Sequence, residues 1–332
     1  MKAALAMTPG LQHRFFDAPL VTELRALVDL DPGRVLSDPT APDHAATAAD
    51  VEVLITSWGA PRLEGAVLEA MPRLRAVVHA AGSVKHLVSP ELWARGARVT
   101  SGAALNARPV AEFALGAVLW STKNVLPLTA RFGVERTAPD LTVDDTIAGN
   151  YRTTVGVLGA SATGRALIEL LAPFDVEVLV SDPTLSPTDA QQLGVQLVDL
   201  EGLFSRSRVL SVHAPLLPQT RHLVDARLLS LMPDGATLVN TARGGVVDHD
   251  ALRSELVSGR LCAILDVTEP EPLAPDDPLW DLPNVTLTPH VAGSQGAELL
   301  RLGRAAVDEV RALVEGRPPL HPVDPASLAT GA

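Results

Sequence analysis

Residues 155–171 read VGVLGASATGRALIELL. A β-branched apolar run leads into a turn, and a helical apolar pattern follows. Strand before and helix after is the context in which a glycine turn holds a dinucleotide. Gly159 and Gly164 occupy the first and third positions of a G-x-G-x-x-G fingerprint, and Ser161 occupies the second. The first glycine makes the tight turn, and the third lets helix and strand approach. The second normally lets the backbone reach the pyrophosphate. Serine is small, and its hydroxyl can donate to a phosphate oxygen. Dinucleotide binding is therefore expected to persist with a slightly displaced or weakened pyrophosphate. The turn alone fits a ligand-free βα connection equally well.

Working outward, strands at 153–158, 176–181, 208–212, 236–240, 261–266 and 284–288 alternate with helices at 163–172, 186–193, 199–206, 225–231 and 247–257. A similar series precedes it, with strands at 51–56, 75–80 and 97–101 and helices at 61–71 and 89–96. Alternation of this kind predicts parallel sheets with helices on both faces. The fold class is α/β, with two Rossmann- or flavodoxin-like doubly wound domains. Residues 107–122 form a helix apolar almost all round, which predicts burial on most sides, in an interdomain core or a homodimer contact. Residues 133–152 read as polar and irregular. Texture changes near 107 and 294 suggest that one domain, 108–293, is inserted into another, 1–107, completed by 294–332 and its helix at 295–314.

The 332 residues exceed what one core usually serves. A net charge of -12 argues against nucleic acid as a partner but not against a small carboxylate in a local pocket. The one cysteine, Cys262, reads as a small core residue in a reducing compartment. The N-terminal apolar run is too short for a signal peptide, and the stretch 109–120 is too short to span a membrane. A cytoplasmic location with no membrane association is expected. No histidine pair has metal-ligand spacing with acidic partners, so no metal is expected, and no G-x-S-x-G elbow suggests a hydrolase.

In a doubly wound sheet, ligands bind at the carboxyl ends of the strands. Six strand ends here each deliver a turn or polar residue: Gly159, Asp182, His213, Arg243, Asp266 and His290. Asp182 follows Gly159 by 23 residues, near the spacing of the acid that holds a ribose 2′-hydroxyl. The segment after it, PTLSPTD, carries no basic residue for a 2′-phosphate, which favours NAD over NADP. His290 can exchange a proton near neutral pH, as hydride chemistry at a carbinol carbon requires. Glu271 can stabilise its imidazolium. Arg243 can grip a carboxylate in bidentate fashion. This set suits a 2-oxo or 2-hydroxy acid. Singly, each residue has another reading: Arg243 as a phosphate clamp, Glu271 as a solvated loop residue, His290 as a cap, Asp182 as a turn starter.

These segments resemble the D-isomer-specific 2-hydroxyacid dehydrogenase family over most of the chain. The resemblance rests on VGVLGASATGRAL, on SVHAPLLPQTRHL, on LVNTARGGVVDHDAL, on LDVTEPEPL and on NVTLTPHVAG. It implies a catalytic set of Arg243, Glu271 and His290, with His290 as acid and base. It implies NAD contacts from Gly159, Ser161, Ala162, Thr163, Gly164, Asp182, His213, Ala214, Pro215, Thr220, Thr241, Ala242, Arg243, Asp266, His290 and Gly293. Asp266 would hold the nicotinamide carboxamide. The backbone of Ala81, Gly82 and Ser83 would receive the substrate carboxylate, with Trp58 in the pocket wall or packed at the domain edge, and with Arg243 and His290 facing the substrate. A hinged cleft and a homodimer are also implied. The loop AAGSVKH departs from the family in lacking a second glycine and an aspartate. Its Lys85 and His86 read either as surface residues or as contacts for a second anionic group. From a different class, an NAD(H)-sensing binding protein of this fold, without significant turnover, remains the alternative.

Overall fold

The computed structural model describes residues 1–138, 140, 147–326 and 328. The chain packs as two compact units, Met1–Asn106 with Ser294–Ala332, and Ala107–Gly293.

The first unit holds four parallel strands in the order β1 (Ala3–Ala6), β2 (Val53–Thr56), β3 (Ala76–His79), β4 (Arg98–Ser101). On the free side of β1, a parallel bridge from Leu5 to Val35 and the bond from Leu36 N to Leu5 O (2.8 Å) add a short fifth rung. The chain thus steps to one side of β1 and then back across it, which is double winding. Side chains alternate across a strand. Leu5, Val53, Ile55 and Val78 therefore bury against the helices Ala18–Leu27 and Leu299–Val314. Leu54, Val77 and Val99 bury on the opposite face against Leu68 and Leu92.

The helix Leu299–Val314 has a strong amphipathic pattern and supplies Leu299, Leu302, Val307 and Val310 to that core. Beyond it, buried Glu309 accepts from Leu320 N (3.1 Å) and His321 N (2.5 Å). The segment so pinned runs antiparallel along β4: Ser101 N donates to His321 O, and Val323 N to Val99 O. This covers the sheet edge that β4 would otherwise present.

The second unit holds seven parallel strands in the order β11-β10-β9-β8-β5-β6-β7. They are β5 (Thr154–Leu158), β6 (Glu177–Ser181), β7 (Gln196–Leu197), β8 (Val209–Val212), β9 (Thr237–Asn240), β10 (Cys262–Leu265) and β11 (Val285–Leu287). The order reverses between β5 and β8, so the ends of these two strands form the crevice where such sheets bind ligands. Val155, Val157, Val180, Val209, Val239 and Ile264 face the helix Ala162–Leu171 and residues 111–118 of the helix Ala103–Thr122. Leu179, Leu210, Leu238 and Leu265 face the helices Leu200–Arg206, Ala226–Leu231 and His249–Val257.

Two expectations are corrected. The helix read at 107–122 begins at Ala103, and within the single chain one side of it is covered. A narrow stripe of Ala107, Ala111, Ala114, Ala117 and Val118 packs inward, while Trp120 is 53% exposed. Residues 133–135, read as irregular, close the helix Val125–Glu135; residues 139 and 141–146 of that stretch lie outside the described residues. Strands β1 and β7 and the helix Ala18–Leu27 carry no pattern that the sequence reading used. No helix among the described residues is long and apolar enough to cross a membrane.

Gly303 marks the tightest contact of the first unit's core. A Cβ there would stand 1.8 Å from Phe15 O. Gly303→Ala is expected to destabilise the protein by about 2 kcal/mol or more, because neither backbone can yield without shifting a helix. Urea unfolding monitored by far-UV circular dichroism measures it, and an unchanged midpoint would refute the packing argument.

Candidate active site

The glycine turn is built as a close approach of two strand ends. Gly159 has φ +98°, and a Cβ on it would lie 2.7 Å from Ala214 N. A Cβ on Gly164 would lie 2.1 Å from Gly159 O. Both positions therefore need glycine for space, and Gly159 also for its backbone angle. Ser161 is the N-cap of the helix Ala162–Leu171, its Oγ accepting from Gly164 N at 3.3 Å. A serine hydroxyl that accepts in a cap can still donate outward. The helix N-terminus beyond Ala162 and Thr163 offers further N–H groups and a favourable dipole to an anion.

Asp182, at the end of β6, closes the turn from the other side. Its Oδ2 accepts from Ala160 N (2.7 Å), and its Oδ1 from Thr184 N (2.7 Å) and Thr184 Oγ1 (2.6 Å). Burial opposes its charge, but these hydrogen bonds hold the carboxyl below its ordinary value. It starts a turn and still keeps an acceptor lone pair on Oδ2.

At the end of β8, His213 is buried; its Nε2 pairs with Ser211 Oγ (2.8 Å), and its Nδ1 has no partner. Burial lowers its pKa from the ordinary 6.5 to about 4, so the ring is neutral at pH 7. Ala214 packs on Gly159, and Pro215 O accepts from Thr220 Oγ1 (2.5 Å). Thr220 Oγ1 also accepts from Leu217 N (2.8 Å), so its hydroxyl is spent on shaping its own loop. At the end of β9, Thr241 Oγ1 is buried without a partner. Two orphaned polar atoms beside a glycine turn and a helix N-terminus fit a polar ligand the size of a dinucleotide.

The loop after β9 is braced by buried Asn240. Its Oδ1 accepts from Ala242 N (3.0 Å), and its Nδ2 donates to Arg243 O (3.0 Å). The Arg243 side chain reaches solvent, folded back so that Nη1 donates to Ala242 O at 2.6 Å. The surrounding protein lowers the guanidinium pKa by desolvation, against the charge of Glu271. Asp266, at the end of β10, is 2% exposed. It accepts from Thr288 Oγ1 (2.5 Å), Val291 N (2.8 Å) and Ala292 N (2.9 Å), and its own O accepts from His290 N (3.1 Å). This clamps the segment up to Gly293 and holds His290 at φ +54°, a costly backbone for a non-glycine residue. From there His290 Nδ1 donates to Glu271 Oε1 at 2.6 Å, and Nε2 has no partner among the described residues.

The structure thus brings His290, Glu271 and Asp266 together, sets Arg243 within the field of Glu271, and joins Gly159, Gly164, Asp182, His213 and Ala214 at one crevice. Trp58, Ala81, Gly82 and Ser83 belong to the first unit. Trp58 is 37% exposed and meets Phe15 edge-on at 5.5 Å. The N–H groups of Ala81, Gly82 and Ser83 donate to no acceptor among the described residues, while Ser101 Oγ holds Gly82 O (2.5 Å). His86 lies edge-on to buried His79 at 5.8 Å, and Lys85 N meets Ser83 Oγ at 3.4 Å. Sequence reasoning missed Asn240, Ser211 and Thr288. The one available signal was a polar residue inside or just after an apolar strand.

A family model described as D-isomer specific 2-hydroxyacid dehydrogenase, NAD binding domain, matches residues 130–292. The chain is 32% identical over 258 residues to a D-3-phosphoglycerate dehydrogenase of Mycobacterium bovis, covering 77% of this chain and 48% of that protein. It is 30% identical over 266 residues to a hydroxypyruvate reductase of Thermotoga maritima, covering 79% and 84%. The crystal structure of a D-lactate dehydrogenase from Aquifex aeolicus, complexed with NAD and lactic acid, matches with a TM-score of 0.74 at 26% identity, over 95% of this chain and 96% of that one. The chain belongs to the D-isomer specific 2-hydroxyacid dehydrogenase family. It spans about half the length of the phosphoglycerate dehydrogenases it matches.

The neutral His213 carries a pH signature. Its pKa is depressed on folding, so the unfolded chain takes up the proton first as pH falls. The contribution of its neutral ring to stability is complete above pH 6.5 and is lost between 6.5 and about 4, at up to about 1.4 kcal/mol per pH unit. His213→Asn is expected to flatten the pH dependence of unfolding free energy in that window. An unchanged slope would mean that another group dominates.

Proposed function

We propose that the chain is an NAD-dependent dehydrogenase interconverting a small 2-oxo acid and its D-2-hydroxy acid. The observation that carries this reading is the 2.6 Å bond from His290 Nδ1 to Glu271 Oε1, which turns Nε2 outward. In reduction, His290 Nε2–H gives its proton to the carbonyl oxygen. Glu271, accepting the hydrogen bond from Nδ1–H, fixes the ring orientation and stabilises the imidazolium. Arg243 binds the substrate carboxylate and polarises the carbonyl. NADH, when bound, supplies the hydride to the carbonyl carbon.

The cofactor would be held by the Gly159–Gly164 turn, by Thr241, and by Asp182, whose carboxylate would take a ribose diol and repel a 2′-phosphate. That charge supports NAD over NADP. The single cysteine supports a cytoplasmic location. A homodimer is supported by exposed apolar side chains of the second unit: Trp120 (53%), Phe132 (53%), Val134 (85%) and Tyr151 (67%). Sedimentation velocity is expected to give twice the mass of 34.9 kDa; a monomer at micromolar concentration would refute it.

Turnover is read from NADH absorbance with glyoxylate, hydroxypyruvate, pyruvate, phenylpyruvate, oxaloacetate and phosphonopyruvate, repeated with NADPH. At least one acid is expected to react with NADH. His290→Ala is expected to cut kcat by about 10²-fold or more while NADH binding stays within about twofold. NADH binding without turnover of any acid would favour the sensing role, and unaffected turnover in the variant would overturn the mechanism.

A further inference from the structure

We propose that Glu269 is a positioning residue, which locks the loop carrying Glu271 to the loop carrying Arg243. Glu269 lies two residues before Glu271 and is outside the set described above; its role rests on the catalytic reading of Arg243 and Glu271.

Three loops of the second unit meet at this side chain. Arg221 Nη2 donates to Glu269 Oε1 at 2.8 Å, and His222 Nε2 pairs with Oε2 at 3.0 Å. The backbone N–H of Glu269 donates to His249 Nε2 at 3.3 Å. His249 is buried, and burial lowers its pKa. Its neutral ring can therefore donate from Nδ1 to Val247 O (3.2 Å) while Nε2 accepts. The loop with Arg221 and His222 is stitched in turn to the residues after Arg243. His222 N donates to Gly245 O (2.9 Å), Val224 N to Val246 O (3.1 Å), and Asp248 N to Val224 O (2.9 Å).

The third contact leaves no slack. A Cβ on Gly244, the residue after Arg243, would stand 2.0 Å from Thr268 O and 2.7 Å from Glu269 N. A Cβ on Gly245 would stand 3.1 Å from Arg221 Nη1 and 3.2 Å from Glu269 Oε1. The two loops are thus in van der Waals contact through glycine. His222 is held at φ +52°, a conformation that needs outside support in a non-glycine residue. The hydrogen bond from His222 first, and then that from Arg221, holds the Glu269 carboxyl below its ordinary value, so it is charged at neutral pH.

Stability alone is a poor account of this cluster. Arg221 and His222 are exposed, and exposed ion pairs contribute little. Displacing a reacting group by a fraction of an ångström, in contrast, is costly in rate. The cluster fixes the separation of the segments bearing the guanidinium and the carboxylate, and through Glu271 the orientation of His290.

The experiment uses the full chain. Glu269→Ala is expected to lower kcat about 10-fold with KM and NADH affinity within about twofold. Glu269→Gln, whose amide oxygen still accepts from Arg221, is expected to recover part of the loss. In a Glu271→Gln background, Glu269→Ala is expected to change kcat by less than about twofold, because the two act through one group. Additive losses would overturn the proposal. Hydrogen exchange supplies a readout independent of turnover. The amides of Val246 and Val247, which donate to Arg243 O and Gly244 O, are expected to exchange faster in Glu269→Ala than in the wild type. Unchanged exchange there would also overturn it. If the wild type reduces no 2-oxo acid, the functional reading fails, and the exchange result still decides whether Glu269 locks the loops.

Discussion

No side chain fits between Gly159 and the backbone of Ala214, and the second unit's ligand-binding geometry follows from that contact. β5 and β8 are the pair at which the sheet reverses direction. Their chains must leave the sheet side by side, one into a helix and the other into a loop. Gly159 permits the approach, and Gly164 then lets the helix settle on Gly159 O. The helix start is capped by Ser161 and tied by Asp182 to Ala160 N. A larger residue at either glycine would push the helix N-terminus away from His213, and the crevice with it.

Around this contact the polar groups divide into those already used and those left open. Asp266 is a buried carboxylate, which is costly unless it is hydrogen-bonded. Three donors satisfy it, and in doing so they hold His290 in its left-handed conformation. Asn240 likewise braces the loop at Ala242 and Arg243, and Thr220 the loop after Pro215. The atoms left open are Thr241 Oγ1, His213 Nδ1 and His290 Nε2, all at carboxyl ends of strands. Spent groups shape these loops, and the open ones keep hydrogen-bonding capacity that the described residues do not use.

Most of the α/β architecture was legible because its strands are β-branched runs and its turns end on glycine, aspartate or histidine. β1 was not, because its residues are AALA, and alanine has no strand signature. At the site, Gly159, Asp182, Arg243, Asp266, Glu271 and His290 stood out because each falls at or just beyond a strand end. Asn240, Glu269 and His249 did not. Glu269 and His249 act through partners distant in sequence, Arg221 at 48 positions and each other at 20, which no local pattern announces, whereas Asn240 showed only as a polar residue ending an apolar strand.

The discontinuity of the first unit has a consequence for synthesis. Its core face over β1, β2 and β3 is covered by Leu299, Leu302, Val307 and Val310, which lie beyond the whole of the second unit. On a ribosome moving at roughly 5–20 residues per second, that face waits on the order of ten seconds or more for its cover. During the wait, the contiguous second unit can complete its own sheet. A nascent chain of this design carries a half-finished domain behind a finished one, and its apolar side chains are a natural ligand for chaperones until the last helix emerges.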